Sequence, residues 1–181
     1  MYFRPPFAAG FTLTELLIAI AIIGILVTVV FSQVGKARDG ALEARALVEF
    51  NQFENALEKY RLDTSTFPPD ANRTLPPELD SYLDRSRWNK GPWANSIYDW
   101  DSWTIGGQLV QQLSIRFCPE GAATEDCSFP TAEWAEDFAV GSAVFYCFTG
   151  PCRSLETEDR EYPGYCVNCD CQEMAVCHSS D

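Results

Sequence analysis

Residues 11–31 constrain this chain more than any other feature, because they form an apolar run of 21 residues with one charged side chain, Glu15. As an α-helix that rises about 1.5 Å per residue, the run would be about 31 Å long. The hydrocarbon core of a lipid bilayer is about 30 Å thick. The run can therefore cross a membrane as a single helix.

The small residues near this run argue against a cleaved secretory signal peptide. Such a peptide is removed after its apolar run, at a small-residue site, and the run is usually about 7–15 residues long. Here Ala8, Ala9 and Gly10 come before the run, and Arg4 is the only basic residue ahead of it. The pattern favours a helix that stays in the mature chain, with a plain membrane anchor as the alternative.

Glu15 distinguishes a plain anchor from a more specific role. A carboxylate within an apolar membrane segment is costly and usually has a defined partner. No basic residue lies within residues 11–31 to pair with it. Cleavage after Gly10 would create an α-amino group on Phe11, which could pair with Glu15 of the same chain or of an axially staggered neighbour.

The segment from Gly10 to Ile18, GFTLTELLI, resembles the processing signal of type IV pilins and type II secretion pseudopilins. The resemblance implies cleavage between Gly10 and Phe11 by a membrane prepilin peptidase, which also methylates the new amine of Phe11. It implies that Glu15 neutralises the amine of a neighbouring subunit during filament assembly. The implied partners are other pilins or pseudopilins, the prepilin peptidase, an assembly platform and its ATPase.

Apolar residues beyond the membrane run repeat with helical spacing and define one face of a helix. They are Leu42, Ala46, Phe50, Phe53, Leu57 and Tyr60. Charged residues, among them Glu43, Glu49 and Glu54, occupy the other face. No proline interrupts residues 11–62, so we predict one continuous helix whose second half packs its apolar face on a head domain.

The remaining sequence predicts an α+β head, in which a small antiparallel sheet packs on the long helix and a disulfide-rich C-terminal region follows. Strands are predicted at residues 100–105, 109–117 and 139–148, and a loop with a short helix at residues 75–83. The predicted organisation is a leader at 1–10, the helix at 11–62 with its transmembrane part at 11–31, the head at 63–117 and an acidic cysteine-rich region at 118–181.

Two segments of the head also resemble this family. Residues 60–69 are similar to its junction between helix and head, with Ser65 where the family usually has glycine. Residues 91–100 are similar to a short segment of major pseudopilins. Pro92, Trp93, Asn95 and Tyr98 match that segment in the same order. The second match favours a secretion pseudopilin, whereas the elaborate C-terminal region favours a pilus subunit or a minor pilin with an adhesive role.

All eight cysteines lie within residues 118–181, and their number is even. They are Cys118, Cys127, Cys147, Cys152, Cys166, Cys169, Cys171 and Cys177. In an exported head, four disulfides are the expected state, although the spacing does not define the connectivity. Local loops bracketed by Cys118 and Cys127, or by Cys147 and Cys152, are candidates. A zinc site formed by residues from Cys166 to His178 is the alternative.

The charge balance excludes some functions. With 13 basic and 26 acidic residues, a net charge of −13, the chain lacks the basic surface that nucleic-acid binding requires. Its only histidine is His178, so a Ser-His or Cys-His mechanism has one candidate base, and we predict no enzymatic activity. A membrane-anchored enzyme is the less favoured alternative. No cofactor is expected. Major pseudopilins of this family hold calcium in a loop rich in glycine and aspartate, and this sequence lacks such a loop. Calcium binding by surface carboxylates is the alternative.

These expectations together place the chain as a single-pass protein of the inner membrane. Its head would lie outside the cytoplasm, and after assembly it would form part of a periplasmic or extracellular filament.

Overall fold

The computed structural model describes residues 11–154 and 162–168, without residues 85, 87, 89 and 122 and without the side chains of residues 29 and 32. The predicted leader, including Gly10, lies outside the described residues. The chain divides into two compact units, the first ending at Arg38 and the second beginning at Asp39.

A single long helix, α1, runs from Leu13 to Thr64 over 52 residues. The prediction of one continuous helix is confirmed, with both ends two residues later than expected. The helix ends because Ser65 takes a left-handed conformation, with φ at 61°, while its N–H still donates to the Arg61 carbonyl at 2.7 Å. A left-handed residue after the last turn is a common helix stop, and glycine is the residue that adopts it most easily.

The first unit consists of the apolar part of α1, and its side chains are exposed. Leu16, Ile18 and Ile23 each leave more than half of their surface uncovered. Within the described residues, α1 is the one helix long and apolar enough to cross a membrane. An apolar surface of this extent needs lipid or other helices around it.

The second unit contains a four-stranded sheet in sequence order, built from β1 (Ile97–Ile105), β2 (Gln108–Arg116), β3 (Ala143–Thr149) and β4 (Gly164–Cys166). The first three strands are antiparallel, and β4 pairs in parallel with β3. The α+β class is confirmed. The predicted third strand starts four residues too early, because Ala139 and Ser142 close a turn through hydrogen bonds at 2.8 Å. The parallel β4 was not predicted. Short 3-10 helices lie at Pro77–Ser81, Thr124–Asp126 and Glu133–Ala135.

The main core lies between α1 and one face of the sheet. Phe50, Phe53 and Leu57 of α1 are completely buried there, against Trp100 of β1 and Leu113 of β2. The predicted apolar face of the helix is therefore confirmed. Three of the five tryptophans are also buried in this core (Trp88, Trp93 and Trp100).

The other face of the sheet is polar, yet it is buried as well. Antiparallel sheets commonly expose such a face to water. Here residues 150–154 and Tyr162, which we call the cover, lie over it, and Cys152 of the cover packs on Ala143 and Phe145. The second unit thus has three layers: helix, sheet and cover.

Candidate assembly site and head contacts

Thr12 and Glu15 form the start of α1. The Glu15 carboxylate accepts hydrogen bonds from the Thr12 N–H at 2.9 Å and from the Thr12 hydroxyl at 2.8 Å. In return, the Glu15 N–H donates to the Thr12 hydroxyl oxygen at 3.2 Å. This reciprocal arrangement is a capping box, which satisfies backbone donors that the first helical turn leaves open.

The predicted assembly residues lie at one end of α1. Phe11 is 87% exposed and directly precedes the capping box. Glu15 is exposed too, and its described hydrogen-bond partner is Thr12 rather than the main chain of Phe11. Since the chain ahead of Phe11 lies outside the described residues, the cleavage and pairing roles of Gly10, Phe11 and Glu15 stay predictions.

Five of the six acidic side chains from Asp39 to the end of α1 each accept a hydrogen bond from the rest of the head. The pairs are Asp39 with Thr131 at 3.1 Å, Glu43 with Trp134 at 2.8 Å, Glu54 with Tyr146 at 2.8 Å, Asp63 with Tyr82 at 2.8 Å, and Glu49 with Tyr98. Helical periodicity assigned Glu43, Glu49 and Glu54 to the polar face and predicted no partners for them. A tyrosine or tryptophan can reach them because it combines an apolar ring with a polar tip.

Two of these tyrosines are held firmly in the neutral form. Burial, followed by the hydrogen bond to Glu54, raises the pKa of Tyr146 to about 12. Burial and the hydrogen bond to Glu49 raise the pKa of Tyr98 even further above its ordinary value. Both hydroxyls therefore remain donors to α1 at any physiological pH.

Arg116 is the centre of a buried charge cluster between the sheet and the cover. Its guanidinium donates to Asp99 at 3.0 Å and to Asp101 at 3.4 Å, and all three residues are at most 7% exposed. Two carboxylates thus share one guanidinium. Burial raises the pKa of Asp101 to about 7, although the nearby Arg116 charge lowers it and the Asp99 charge adds to the increase.

The same cluster fastens the cover to the sheet. Arg116 also donates to the carbonyls of Gly141 and Ser154, both at 3.1 Å. The Gln112 side chain forms two hydrogen bonds with the Arg153 backbone. Its Oε1 atom accepts from the Arg153 N–H at 2.7 Å, and its Nε2 atom donates to the Arg153 carbonyl. The sequence analysis did not predict this cluster. Asp99 and Asp101 occupy alternate positions of β1, a pattern that normally indicates a strand face in contact with water.

Disulfides link Cys118 to Cys127 and Cys147 to Cys152, the two pairs that bracket local loops in the sequence. The Cys166 sulfur lies 3.7 Å from the Cys147 sulfur. Asn168 fixes this region by accepting from the Cys147 N–H and donating to its carbonyl, both at 2.8 Å. Cys169, Cys171, Cys177 and His178 lie outside the described residues.

The cysteine cluster is the place where a metal could bind if the thiols were reduced. The sulfurs of Cys147, Cys152 and Cys166 all lie within 4.8 Å of one another. With Cys147 and Cys152 joined, this group serves as a covalent link between β3 and the cover instead. The zinc alternative that included His178 stays a prediction.

Comparisons with known proteins agree with this geometry. Residues 7–31 match the prokaryotic N-terminal methylation motif. The type II secretion system core protein G of Aeromonas hydrophila is 34% identical over 98 residues, which cover 48% of this chain and 68% of that protein. Its counterpart from Vibrio cholerae is 33% identical over 96 residues, covering 48% and 66%, and that of Escherichia coli K12 is 31% identical over 97 residues, covering 48% and 67%. No solved structure matches the chain significantly.

An apolar N-terminal helix that carries a methylation motif and continues into an α+β head defines a pilin-like structural subunit. The resemblance found in the sequence is thereby confirmed. The chain belongs to the family of type II secretion system core protein G, which is a pseudopilin family.

Proposed function

We propose that this chain is a subunit of a type II secretion pseudopilus. It is held in the inner membrane by α1, with its head outside the cytoplasm, until it is added to a filament. The observation that carries the proposal is the division of α1 into an exposed apolar part and a part that forms one core with the head. A filament of packed helices would cover the exposed part.

Maturation would expose the group that assembly needs. A prepilin peptidase cleaves after Gly10 and methylates Phe11, so that the mature chain begins with a positively charged amine beside Thr12. An assembly platform and its ATPase then move the subunit out of the membrane. In this proposal the chain itself catalyses no reaction, and its role is mechanical.

Glu15 would change partners during assembly. In the single chain its carboxylate is held by Thr12, at 2.8 and 2.9 Å. The amine of Phe11 on a neighbouring subunit is a better partner, because it adds the Coulomb attraction of a full positive charge to the hydrogen bond, whereas Thr12 is a neutral donor. The capping box would therefore keep the carboxylate satisfied until a neighbour arrives.

A deletion of the gene in its host tests this function. We expect secreted proteins to accumulate in the periplasm, while surface pili and the motility that depends on them stay normal. The full-length gene should restore secretion. Normal secretion together with loss of pili or of surface attachment would contradict the proposal.

That second outcome would support a pilus or minor-pilin role. One observation favours it as the second candidate: the sheet carries a cover, linked by the Cys147–Cys152 disulfide, beyond the part of the head that resembles pseudopilins. Such a surface layer is suited to contact with the exterior.

A further inference from the structure

Asn72 stands in a sequence context that no other asparagine of this chain shares. Of six asparagines, it alone has a hydroxyl residue two positions later, Thr74, and the residue between them is Arg73 rather than proline. This triplet is the acceptor pattern for N-linked sugars in exported proteins. An acidic residue, Asp70, lies two positions before it.

The structure presents Asn72 on a surface turn of the head. The turn is closed by the Thr74 N–H, which donates to the Ala71 carbonyl at 3.2 Å. Asn72 is exposed, and its side-chain amide has no hydrogen-bond partner among the described residues. Its Nδ2 atom is therefore available for modification without the loss of a contact.

A cavity of about 450 Å³ begins beside Asn72. The half-buried rings of Trp103 and Tyr162 form part of its wall, together with the carboxylates of Asp70 and Asp99. Sugars pack their C–H faces on aromatic rings, and their hydroxyls donate to carboxylates. The volume is within the range of about 300–1,000 Å³ that is typical of small-molecule sites.

We propose that Asn72 is an N-glycosylation site and that the first sugar of the attached glycan rests in this neighbouring cavity. The donor is an oligosaccharide linked to a polyprenyl pyrophosphate, and the catalyst is a membrane oligosaccharyltransferase. A bond forms between Asn72 Nδ2 and the anomeric carbon of the sugar. The bond from that carbon to the lipid pyrophosphate breaks, the pyrophosphate leaves with the electron pair, and the amide loses one proton to a base of the transferase.

Asp70 would act before the head folds. In the folded head, its carboxylate accepts from the Ser102 N–H at 2.9 Å and holds the turn against β1. In a chain that is still crossing the membrane, the same carboxylate is free to meet a guanidinium of the transferase, a pairing that is strong and geometrically specific. Asp70 is in this view a positioning residue for the modification of Asn72.

Mass spectrometry of the full-length protein from membranes of its own host tests the proposal. We expect the mature mass plus a discrete glycan mass, located by fragmentation on the peptide that contains Asn72. Asn72→Gln and Thr74→Ala should remove the added mass, and Asp70→Asn should reduce it strongly. Thr74→Ser, Asp70→Glu and the control Asn95→Gln should keep it. A wild-type mass equal to the polypeptide alone would overturn the proposal.

The glycan proposal rests on the proposed function, because it requires the head to lie outside the cytoplasm. The same mass spectra distinguish a failure of the glycan proposal from a failure of the proposed export. If Asn72 is unmodified but the chain begins at Phe11, only the glycan proposal fails. If the leader is still present, the proposed export fails as well.

A second measurement tests the cavity. The glycosylated protein should have a higher Tm than Asn72→Gln, and Trp103→Ala should remove that increase while leaving the glycan mass in place. An equal loss of Tm from Trp103→Ala in glycosylated and unglycosylated protein would contradict the placement of the sugar in the cavity.

Discussion

Ser65 shows how a single backbone angle connects this chain to its family. It ends α1 with φ at 61°, a region that a residue with a Cβ atom enters at a cost of about 1–2 kcal/mol. The sequence comparison with the family pattern found glycine as the usual residue here, and the structure supplies the reason. The glycine preference at this junction is conformational.

Ser65→Gly should therefore stabilise the head, by about 0.5–1 kcal/mol after allowing for the greater freedom of glycine in the unfolded chain. Urea unfolding followed by tryptophan fluorescence measures this change in the free energy of unfolding. Ser81→Gly is the matched control, because Ser81 is also exposed but its φ is not positive. An equal gain from both variants would contradict the explanation.

Glu15 is the second residue whose replacement gives a decisive result. We expect Glu15→Leu to be inserted and processed but to yield few filaments, since the amine of Phe11 on the neighbour would be left without its counter-charge. Filament yield after shearing is the measurement. Thr14→Leu adds similar apolar surface one position away and should assemble. Normal filaments from Glu15→Leu would contradict the assembly role.

At the scale of elements, α1 packs on the head through apolar contacts, which the sequence predicts, and through hydrogen bonds of its acidic side chains, which it does not. The spacing of Phe50, Phe53 and Leu57 directly implies a buried face. The partners of Glu49 and Glu54 lie 49 and 92 residues further along the chain, so no local pattern could reveal them. Periodicity identifies which side of a helix is apolar, but the contacts of its polar residues depend on the tertiary fold.

Tyr146→Phe tests the polar part of this docking. It removes the hydrogen bond to Glu54 and should lower the free energy of unfolding by about 1 kcal/mol, within the usual range for one such bond. Tyr60→Phe is the control, since the Tyr60 hydroxyl has no hydrogen bond among the described residues. Equal effects from the two variants would show that the Glu54 contact contributes nothing.

The attachment of the cover to the sheet should depend on pH. The pKa of Asp101 is about 7 in the folded head, against an ordinary value of about 3.9. The folded state therefore binds a proton more tightly than the unfolded state does. The contribution of this group is fully present below pH 4 and is lost as the pH rises through 7.

Asp101→Asn imitates the protonated form and should remove this part of the pH dependence. The variant should equal the wild type near pH 4 and become progressively more stable than the wild type up to pH 8, where the difference after local relaxation is about 1–2 kcal/mol. Unfolding curves across pH 4–8 decide the matter. The exposed control Glu120→Gln should leave the wild-type curve unchanged, and a variant less stable than wild type at pH 8 would contradict the assignment.

At the scale of the whole molecule, the sequence predicted the class of architecture but not its layering. The long helix and three of the four strands followed from local patterns. The buried cluster of Asp99, Asp101 and Arg116 did not, because polar residues in alternate strand positions normally indicate a solvated face. That face is buried because the cover packs on it, through the Ser154 carbonyl and the Cys152 side chain.

Reduction should separate the layers in a defined order. Each disulfide that closes a short loop contributes about 2–3 kcal/mol by the chain-entropy relation. We expect reductant to expose residues 150–154 of the cover to proteolysis or hydrogen exchange while β3 and the region around Phe50 and Phe53 stay protected. Simultaneous loss of both regions would contradict this order.

Thiol counting in denaturant gives an independent check on the cysteines. We expect no free thiols in protein isolated from the exported state. Four or more free thiols, together with stoichiometric zinc by elemental analysis, would instead favour a metal site between Cys166 and His178.

The two edge strands of the sheet, β1 and β4, offer little open edge among the described residues. Along β1, Ala71 forms a bridge with Trp100 and Asp70 accepts from the Ser102 N–H. The other edge strand, β4, is only three residues long. Open strand edges readily pair with strands of other molecules and so start aggregation. Subunits packed closely in a polymer are especially prone to such strand pairing. By covering one edge strand and keeping the other short, the head leaves helix packing as the favoured mode of association, so that growth of the polymer and uncontrolled aggregation remain separate processes.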